Sequence, residues 1–122
     1  MAAIVKSRKP RDYSKGIIYI IRSVSPITRQ VFTYIGSTLS FDNRKQKHKN
    51  TIYNQKQKQY NQKLYKTIRK NEGDWTMSKF KQFPCDSKLQ LEIEEERCRQ
   101  YINSSLNDRA CSLLNRLDIA LK

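Results

Sequence analysis

Two short segments rich in β-branched and aromatic residues constrain the fold more than any other feature of this chain. They read "IIYIIRSV" at residues 17–24 and "VFTYIG" at residues 31–36. The "SPITRQ" between them contains a proline, which the interior of a strand excludes. The pattern predicts an antiparallel hairpin. Because side chains alternate between the faces of a strand, Tyr19 and Tyr34 can be presented from adjacent strands.

The segment after the hairpin changes from alternating to helical character. "STLSFDNRKQKHKNTIY" follows Gly36 and offers several capping residues, so we expect a helix that starts near Ser40. A second helix is predicted over about residues 60–70, and it ends at Gly73. No internal repeat is visible.

The second half of the chain predicts one strand and two helices. "WTMSKFKQFPC" reads as a third strand that Pro84 stops, and "SKLQLEIEEERCRQYINSSLN" reads as a long helix with Ser87 as its cap. The tail "DRACSLLNRLDIALK" could form one more amphipathic helix. The expected fold class is therefore α+β, with a small antiparallel sheet and flanking helices.

Net charge indicates the class of partner. The 122 residues suffice for one small domain, and 25 Lys and Arg against 11 Asp and Glu give a formal charge of +14. Such a surface attracts polyanions, so nucleic acid is the leading partner. No stretch approaches the roughly 20 apolar residues of a membrane span, so no membrane partner is expected. The N-terminus shows no signal-peptide pattern, which predicts an intracellular location in cytoplasm or nucleus.

Most of the positive charge lies in one tract. Residues 43–71 hold ten Lys or Arg and no acid. A tract of one sign is expected to contact phosphates without regard to base sequence, although a solvated charged face is the alternative. Tyr53, Tyr60 and Tyr65 could stack on bases or simply cover the core. The lysines expected to contact DNA are Lys45, Lys47, Lys49, Lys56, Lys58, Lys63 and Lys66.

The first predicted helix carries two further candidates for chemistry. Arg44 and His48 are four residues apart, so on a helix they project from one face. An arginine fork can grip a phosphate, and an imidazole can bond to the same group or accept a proton. A solvated Arg and His would show the same spacing.

The long helix near the C-terminus carries four glutamates beside its apolar stripe. Glu95 lies nearest the middle of that stripe, whereas Glu94 flanks it, and Glu92 and Glu96 are expected to face water. Burying an unpaired carboxylate costs several kcal/mol, so Glu95 should meet a cation, a metal or hydrogen-bond donors. The alternative is a carboxylate that reaches out from the stripe to a lysine.

Taken together, "IIY" at residues 17–19, "YIG" at 34–36, Arg44 with His48, and a glutamate in a late helix resemble the GIY-YIG nuclease family. The resemblance extends from about residue 16 to 107. It implies a three-stranded antiparallel sheet flanked by helices and a divalent ion that supports hydrolysis of a DNA phosphodiester. The expected domains are a basic N-terminal arm, residues 1–15, and a nuclease-like domain, residues 16–122.

The resemblance also implies roles for individual residues. Tyr19 and Tyr34 match the tyrosines of the two half-motifs, and Gly36 matches the glycine at which the chain turns beside the site. Arg44 matches the helix arginine. The remaining matches are His48, a histidine found in part of the family; Glu95, the metal-binding glutamate, unless a shift by one selects Glu94; and Asn107, an asparagine of many members. The sequence departs from the pattern at Ile17, which occupies the glycine position of the first half-motif, one residue after Gly16.

The implied chemistry is metal-dependent phosphodiester hydrolysis. One carboxylate with bound waters suits Mg²⁺, or Mn²⁺, at Glu95. Arg44 would hold a nonbridging oxygen, and Tyr19, with Tyr34 nearby, would orient or deprotonate water. For base chemistry a phenol needs a pKa lowered by neighbouring positive charge. The competing interpretation is a catalytically inactive nucleic-acid-binding module of the same fold.

Overall fold

A three-stranded antiparallel sheet with three helices forms the described part of the chain. The computed structural model describes residues 11–103 and Leu106. The strands are β1 (Ile17–Val24), β2 (Val31–Thr38) and β3 (Thr76–Gln82), in the order β2-β1-β3. The helices are α1 (Phe41–Ile52), α2 (Lys63–Lys70) and α3 (Lys88–Ile102), preceded by one 3₁₀ turn at Tyr13–Lys15. This architecture confirms the predicted α+β class.

Some of the sequence-based predictions concern residues that the structure does not describe. Asn107 and the amphipathic helix predicted after it lie outside the described residues, as do the first ten residues of the expected basic arm. Within residues 11–103, no helix combines the length and the apolar character that crossing a bilayer requires.

The hairpin register places the two half-motifs side by side. Tyr19 pairs with Gly36 and Ile21 pairs with Tyr34 across the antiparallel ladder. Because side chains alternate, Tyr19 and Tyr34 emerge on the same face of the sheet, and their ring centroids are 6.4 Å apart. The predicted presentation of both tyrosines from adjacent strands is confirmed.

Each face of the sheet has its own hydrophobic cluster. On the first face, Tyr19 and Ile21 pack with Ile52 of α1 and with Leu64 and Ile68 of α2. These side chains are almost fully buried. Helices α1 and α2 are thereby fixed above the strand that carries Tyr19.

On the second face of the sheet, α3 covers the same strands. Ile18, Ile20 and Ile35 pack with Leu91 and Cys98 of that helix. The apolar stripe predicted for the long helix therefore faces the sheet. Helix α3 therefore packs on the opposite face of the sheet from α1 and α2. Side chains from both faces can approach each other beyond the end of β2, where the chain enters α1.

Local capping explains where the helices begin and end. Ser40 is the N-terminal cap residue of α1, with extended backbone, and Ser87 accepts a hydrogen bond from the Gln90 amide at the start of α3. Helix α2 ends at Lys70, and a turn carries the chain to Gly73, whose φ of 79° lies in the left-handed region that glycine tolerates. The helix starts predicted at Ser40 and Ser87 are confirmed.

Candidate active site

A buried hydrogen bond joins the first strand to the first helix. The Tyr19 hydroxyl lies 2.8 Å from His48 Nε2. Both residues are buried, with 2% of Tyr19 and 5% of His48 exposed. The single histidine of the chain is thus held against a tyrosine of the first half-motif rather than solvated, and that placement excludes the alternative of a surface histidine.

Gly36 is required because the Tyr19 phenol lies directly across it. A Cβ at position 36 would overlap the hydroxyl and the ring carbon that bears it. Any side chain there would have to displace Tyr19 from His48. Gly16 is also closely approached, since a Cβ there would meet the Phe83 carbonyl oxygen at 2.5 Å. The isoleucine at position 17 leaves the pairing of Tyr19 with Gly36 intact.

A third aromatic residue completes this group from α2. The Tyr65 hydroxyl lies 2.7 Å from His48 Nδ1, so both ring nitrogens of the histidine have phenolic partners. Tyr34 is half-buried and lies edge-on to His48, with centroids 6.0 Å apart. We call Tyr19, Tyr34, His48 and Tyr65 the imidazole group. The sequence allowed Tyr65 either to stack on bases or to cover the core. It contained no signal for the contact of Tyr65 with His48.

Burial sets the protonation states of this group. It lowers the pKa of His48 to about 4, with help from the positive charges of Arg44 and Lys47, so the imidazole is neutral at pH 7. Burial is also the main cause that raises the pKa of Tyr19, and the charge of Arg44 offsets it only in part. The pKa of Tyr65 is likewise raised by burial. The lowered tyrosine pKa that sequence analysis called for is therefore not produced by the described residues.

Arg44 lies on the boundary between two polar pockets. One pocket is lined by the imidazole group's Tyr34, His48 and Tyr65. The other is lined by Ser37 and Glu95. Arg44 borders both, and it forms no ion pair within 4 Å among the described residues. Its guanidinium is therefore free to bind an anion.

Glu95 extends from α3 into the second pocket. Ser37, which follows the second half-motif, donates a hydrogen bond of 2.6 Å to Glu95 Oε1. Burial raises the pKa of Glu95, while this hydrogen bond and the charge of Arg99 lower it. Ser37, Arg44 and Glu95 together form what we call the carboxylate group. In the sequence, Ser37 is one of the candidate capping residues that follow Gly36.

The neighbouring glutamates form ion pairs with Lys and Arg side chains. Glu94 forms ion pairs with Lys81 of β3 and with Arg97. Glu96 pairs with Arg99 at 2.6 Å and is only 2% exposed, so the prediction that Glu96 faces water is wrong. The partner one turn along the helix compensates its burial. Glu92 is partly exposed and lies 3.7 Å from Lys88.

A divalent cation fits the surroundings of Glu95 better than those of Glu94 or Glu96. Glu95 is the member of this trio without an ion pair within 4 Å in the described part of the chain. Desolvation already disfavours its charged form, and a bound cation would offset that cost. No cluster of three or more His, Cys, Asp or Glu occurs within residues 11–103 and 106. One carboxylate, with water as the other ligands, is the donor set that Mg²⁺ accepts.

The lysine-rich tract lies on the outside of the molecule beside this site. All seven lysines predicted to contact DNA are exposed. Lys47 also borders the pocket of the imidazole group. The loop between α1 and α2 is held down by Arg69, which donates to the Ile52 and Tyr60 carbonyls and stacks over the Tyr60 ring at 3.8 Å. Tyr60 is thereby engaged within the protein.

Two charged residues that sequence analysis did not assign to the site also border the carboxylate group. Arg11 and Lys88 line the pocket of Glu95. Arg11 belongs to the expected N-terminal arm, and the 3₁₀ turn after it brings Tyr13 against the cluster on the second face of the sheet. The pocket of Glu95 is therefore lined by basic residues from three segments of the chain, namely Arg11, Arg44 and Lys88.

Comparison with known proteins identifies one family. A family model described as the GIY-YIG catalytic domain matches residues 15–107, which is most of the chain. Neither the curated proteins nor the solved structures include a significant match.

Proposed function

Since the chain belongs to the GIY-YIG family, a family of nucleases, we propose that it is a metal-dependent DNA endonuclease. The observation that carries this proposal is the common border of the two groups at Arg44. On one side lies a carboxylate that forms no ion pair within 4 Å among the described residues, and on the other a neutral imidazole bonded to a phenol. Hydrolysis of a phosphodiester needs an anion clamp, charge neutralisation and a proton acceptor, and these residues supply them.

Arg44 binds the scissile phosphate in this proposal. Its guanidinium donates to a nonbridging oxygen and stabilises the charge that grows there in the transition state. Glu95 holds the divalent ion, Mg²⁺ or Mn²⁺, and Ser37 orients the carboxylate through Oε1. When bound, that ion neutralises charge on the phosphate and on the leaving oxygen.

Tyr19 and His48 handle the proton of the attacking water. A tyrosine with a raised pKa is a poor phenolate, but a neutral hydroxyl can accept the proton of water while it passes its own proton to His48 Nε2. The water oxygen then forms the new bond to phosphorus as the bond to the leaving oxygen breaks. The imidazolium afterwards returns its proton to solvent. Tyr34 borders the pocket of the imidazole group and orients the substrate there.

DNA is the proposed substrate because seven exposed lysines lie in the same acid-free tract, residues 43–71, as Arg44 and His48 of the site. Lysines contact phosphates irrespective of base identity. Specificity for a target sequence would have to come from other contacts. We propose Lys45, Lys47, Lys49, Lys56, Lys58, Lys63 and Lys66 as the phosphate-binding set.

The test is nicking of supercoiled plasmid by the purified full chain. We expect conversion to open-circular and linear DNA with Mg²⁺ or Mn²⁺ and none with EDTA. Arg44→Ala should lose this activity. Arg22→Ala, purified in parallel, should keep it, because Arg22 is exposed on β1 and lines neither pocket of the site. Plasmid binding without cleavage under all metal conditions would instead favour the inactive binding module.

A further inference from the structure

The proposed proton transfer leaves one contact of the histidine without a function. His48 Nδ1 lies 2.7 Å from the Tyr65 hydroxyl, on the side of the ring opposite to Tyr19. Tyr65 is brought there by α2, which begins after the long loop of the lysine-rich tract. A tyrosine that only filled the core could leave its hydroxyl to water, yet this one is 5% exposed and meets the second ring nitrogen.

A neutral imidazole carries a proton on one nitrogen only, so the two hydrogen bonds of His48 are coupled. The only hydrogen-bond partner of the Tyr19 hydroxyl among the described residues is His48 Nε2. A buried hydroxyl whose proton has no acceptor costs free energy. Tyr19 must therefore donate to Nε2, and the ring proton must reside on Nδ1.

The surroundings of Tyr65 allow the same direction. Its phenol borders the pocket of the imidazole group, so its proton can be donated into that pocket while its oxygen accepts from Nδ1–H. The Thr51 hydroxyl borders the same pocket, but it donates its proton to the Lys47 carbonyl at 2.8 Å and supplies none to Tyr65.

We propose that Tyr65 is a positioning residue that fixes His48 as the Nδ1-protonated tautomer and so keeps Nε2 open for the Tyr19 proton. It acts through His48 and touches no substrate. This inference rests on the proposed nuclease function for its catalytic consequence, but its structural content concerns the histidine alone. The histidine side chain in solution favours the opposite tautomer, with the proton on Nε2. An acceptor beside Nδ1, such as the Tyr65 hydroxyl, is therefore needed to stabilise the Nδ1-protonated form.

The single histidine makes the tautomer directly measurable. In the ¹⁵N-labelled full chain at pH 7.5, long-range ¹H–¹⁵N spectra of the ring contain one imidazole, and protonated and unprotonated nitrogens have well-separated shifts. We expect protonated Nδ1 and bare Nε2 in the parent protein. Tyr65→Phe keeps the ring in the core and removes the acceptor, so it should move the ring toward protonated Nε2. Tyr101→Phe, at an exposed position on α3, is the matched control and should leave the spectrum unchanged.

Cleavage provides the second readout. Tyr65→Phe should lower the single-turnover rate at saturating DNA about tenfold, with unchanged DNA affinity, as expected for a residue that orients a catalytic group. If Tyr65→Phe fails to fold, the parent protein still tests the proposal, because an Nδ1 proton held by the buried Tyr65 hydroxyl should exchange slowly with solvent. Protonated Nε2 in the parent, a rapidly exchanging Nδ1 proton there, or an unchanged tautomer in folded Tyr65→Phe would overturn the proposal.

The two readouts separate this inference from the proposed function. If the parent protein does not cut DNA, the nuclease proposal fails while the tautomer spectra still decide what Tyr65 does to His48. If the parent cuts DNA and Tyr65→Phe changes the tautomer but not the rate, the positioning role is refuted and the nuclease proposal stands.

Discussion

The imidazole group and the carboxylate group lie on either side of Arg44, yet burial has different consequences for their charge states. In the imidazole group, every polar atom of Tyr19 and His48 finds a neutral partner, and burial keeps the imidazole uncharged. In the carboxylate group, Glu95 accepts a hydrogen bond from the Ser37 hydroxyl, and its charge is only partly compensated among the described residues. The imidazole group is thus complete with neutral partners, whereas the carboxylate group carries charge that a bound cation would neutralise. Each side therefore predicts a different response to mutation and to pH.

The largest effect on DNA cleavage is expected for a mutation in the carboxylate group. Glu95→Gln should abolish metal-dependent nicking while DNA affinity is retained or raised, because one negative charge near the phosphate is lost and the basic tract remains. Plasmid nicking and a binding titration measure the two effects. Glu94→Gln is the matched control: Glu94 is held by Lys81 and Arg97, so its loss should lower thermal stability and spare cleavage. The reverse outcome would move the metal ligand to Glu94.

On the imidazole side, removal of one hydroxyl should be costly for the rate and mild for folding. Tyr19→Phe should reduce single-turnover cleavage by roughly 10²-fold or more, the usual scale for a positioned acid–base group. Thermal melts should change little, because the ring stays in the first-face cluster. Tyr34→Phe provides the comparison, since Tyr34 borders the pocket and lies edge-on to the His48 ring. Near-parental rates for both folded variants would refute tyrosine-assisted hydrolysis.

The difference in protonation should appear in stability against pH. Because the pKa of His48 falls to about 4 in the folded chain from its ordinary 6.5, the unfolded chain binds the extra proton first as the pH drops. His48 therefore contributes stability that is fully present above about pH 6.5 and is lost as the pH falls toward 4. Between pH 7.5 and pH 5.0, the expected loss in the free energy of unfolding is about 2 kcal/mol.

Urea titrations of the parent and of His48→Gln would measure that loss, since glutamine does not titrate and the acidic residues are common to both. The charged and titratable groups that face His48 are Tyr19, Tyr34, Arg44, Lys47 and Tyr65. The pKa values of Tyr19 and Tyr65 are raised, so neither phenol loses its proton between pH 5.0 and 7.5. A difference in unfolding free energy that stays constant over this range would show that His48 is not held neutral.

The smallest effect per residue is expected for the exposed lysines of the tract at residues 43–71. Replacing Lys56, Lys58, Lys63 and Lys66 with Gln should weaken binding to unrelated DNA sequences alike. The slope of log affinity against log salt should decrease by somewhat under one unit for each lost phosphate contact. Fluorescence anisotropy over a salt series measures that slope. An unchanged slope would mean that this tract faces away from DNA.

Much of the imidazole side could be predicted from the sequence. Alternation in residues 17–24 and 31–36 predicted the hairpin and the presentation of Tyr19 and Tyr34 from adjacent strands. The register seen in the structure places both side chains on one face, because a shift by one residue would have separated them. The spacing of Arg44 and His48 likewise required only that one helix begin near Ser40. The apolar stripe of α3 was predicted correctly, since Leu91 and Cys98 pack on the sheet. The prediction that Glu95 lies nearest the middle of that stripe is wrong, because Glu94 and Glu96 are buried while Glu95 is only partly buried.

Contacts between distant elements were decided only by the tertiary structure. The pairing of Glu96 with Arg99 was available to the sequence as a helical spacing, but its burial depends on how α3 rotates against the sheet. Ser37 reaches Glu95 across 58 positions of the chain, and Tyr65 reaches His48 from a different helix. Periodicity and capping act within a few residues, so they determine strands, helices and their faces. Which hydroxyl meets which nitrogen, and whether a phenol gains or loses its proton, is set by packing and by exclusion of water.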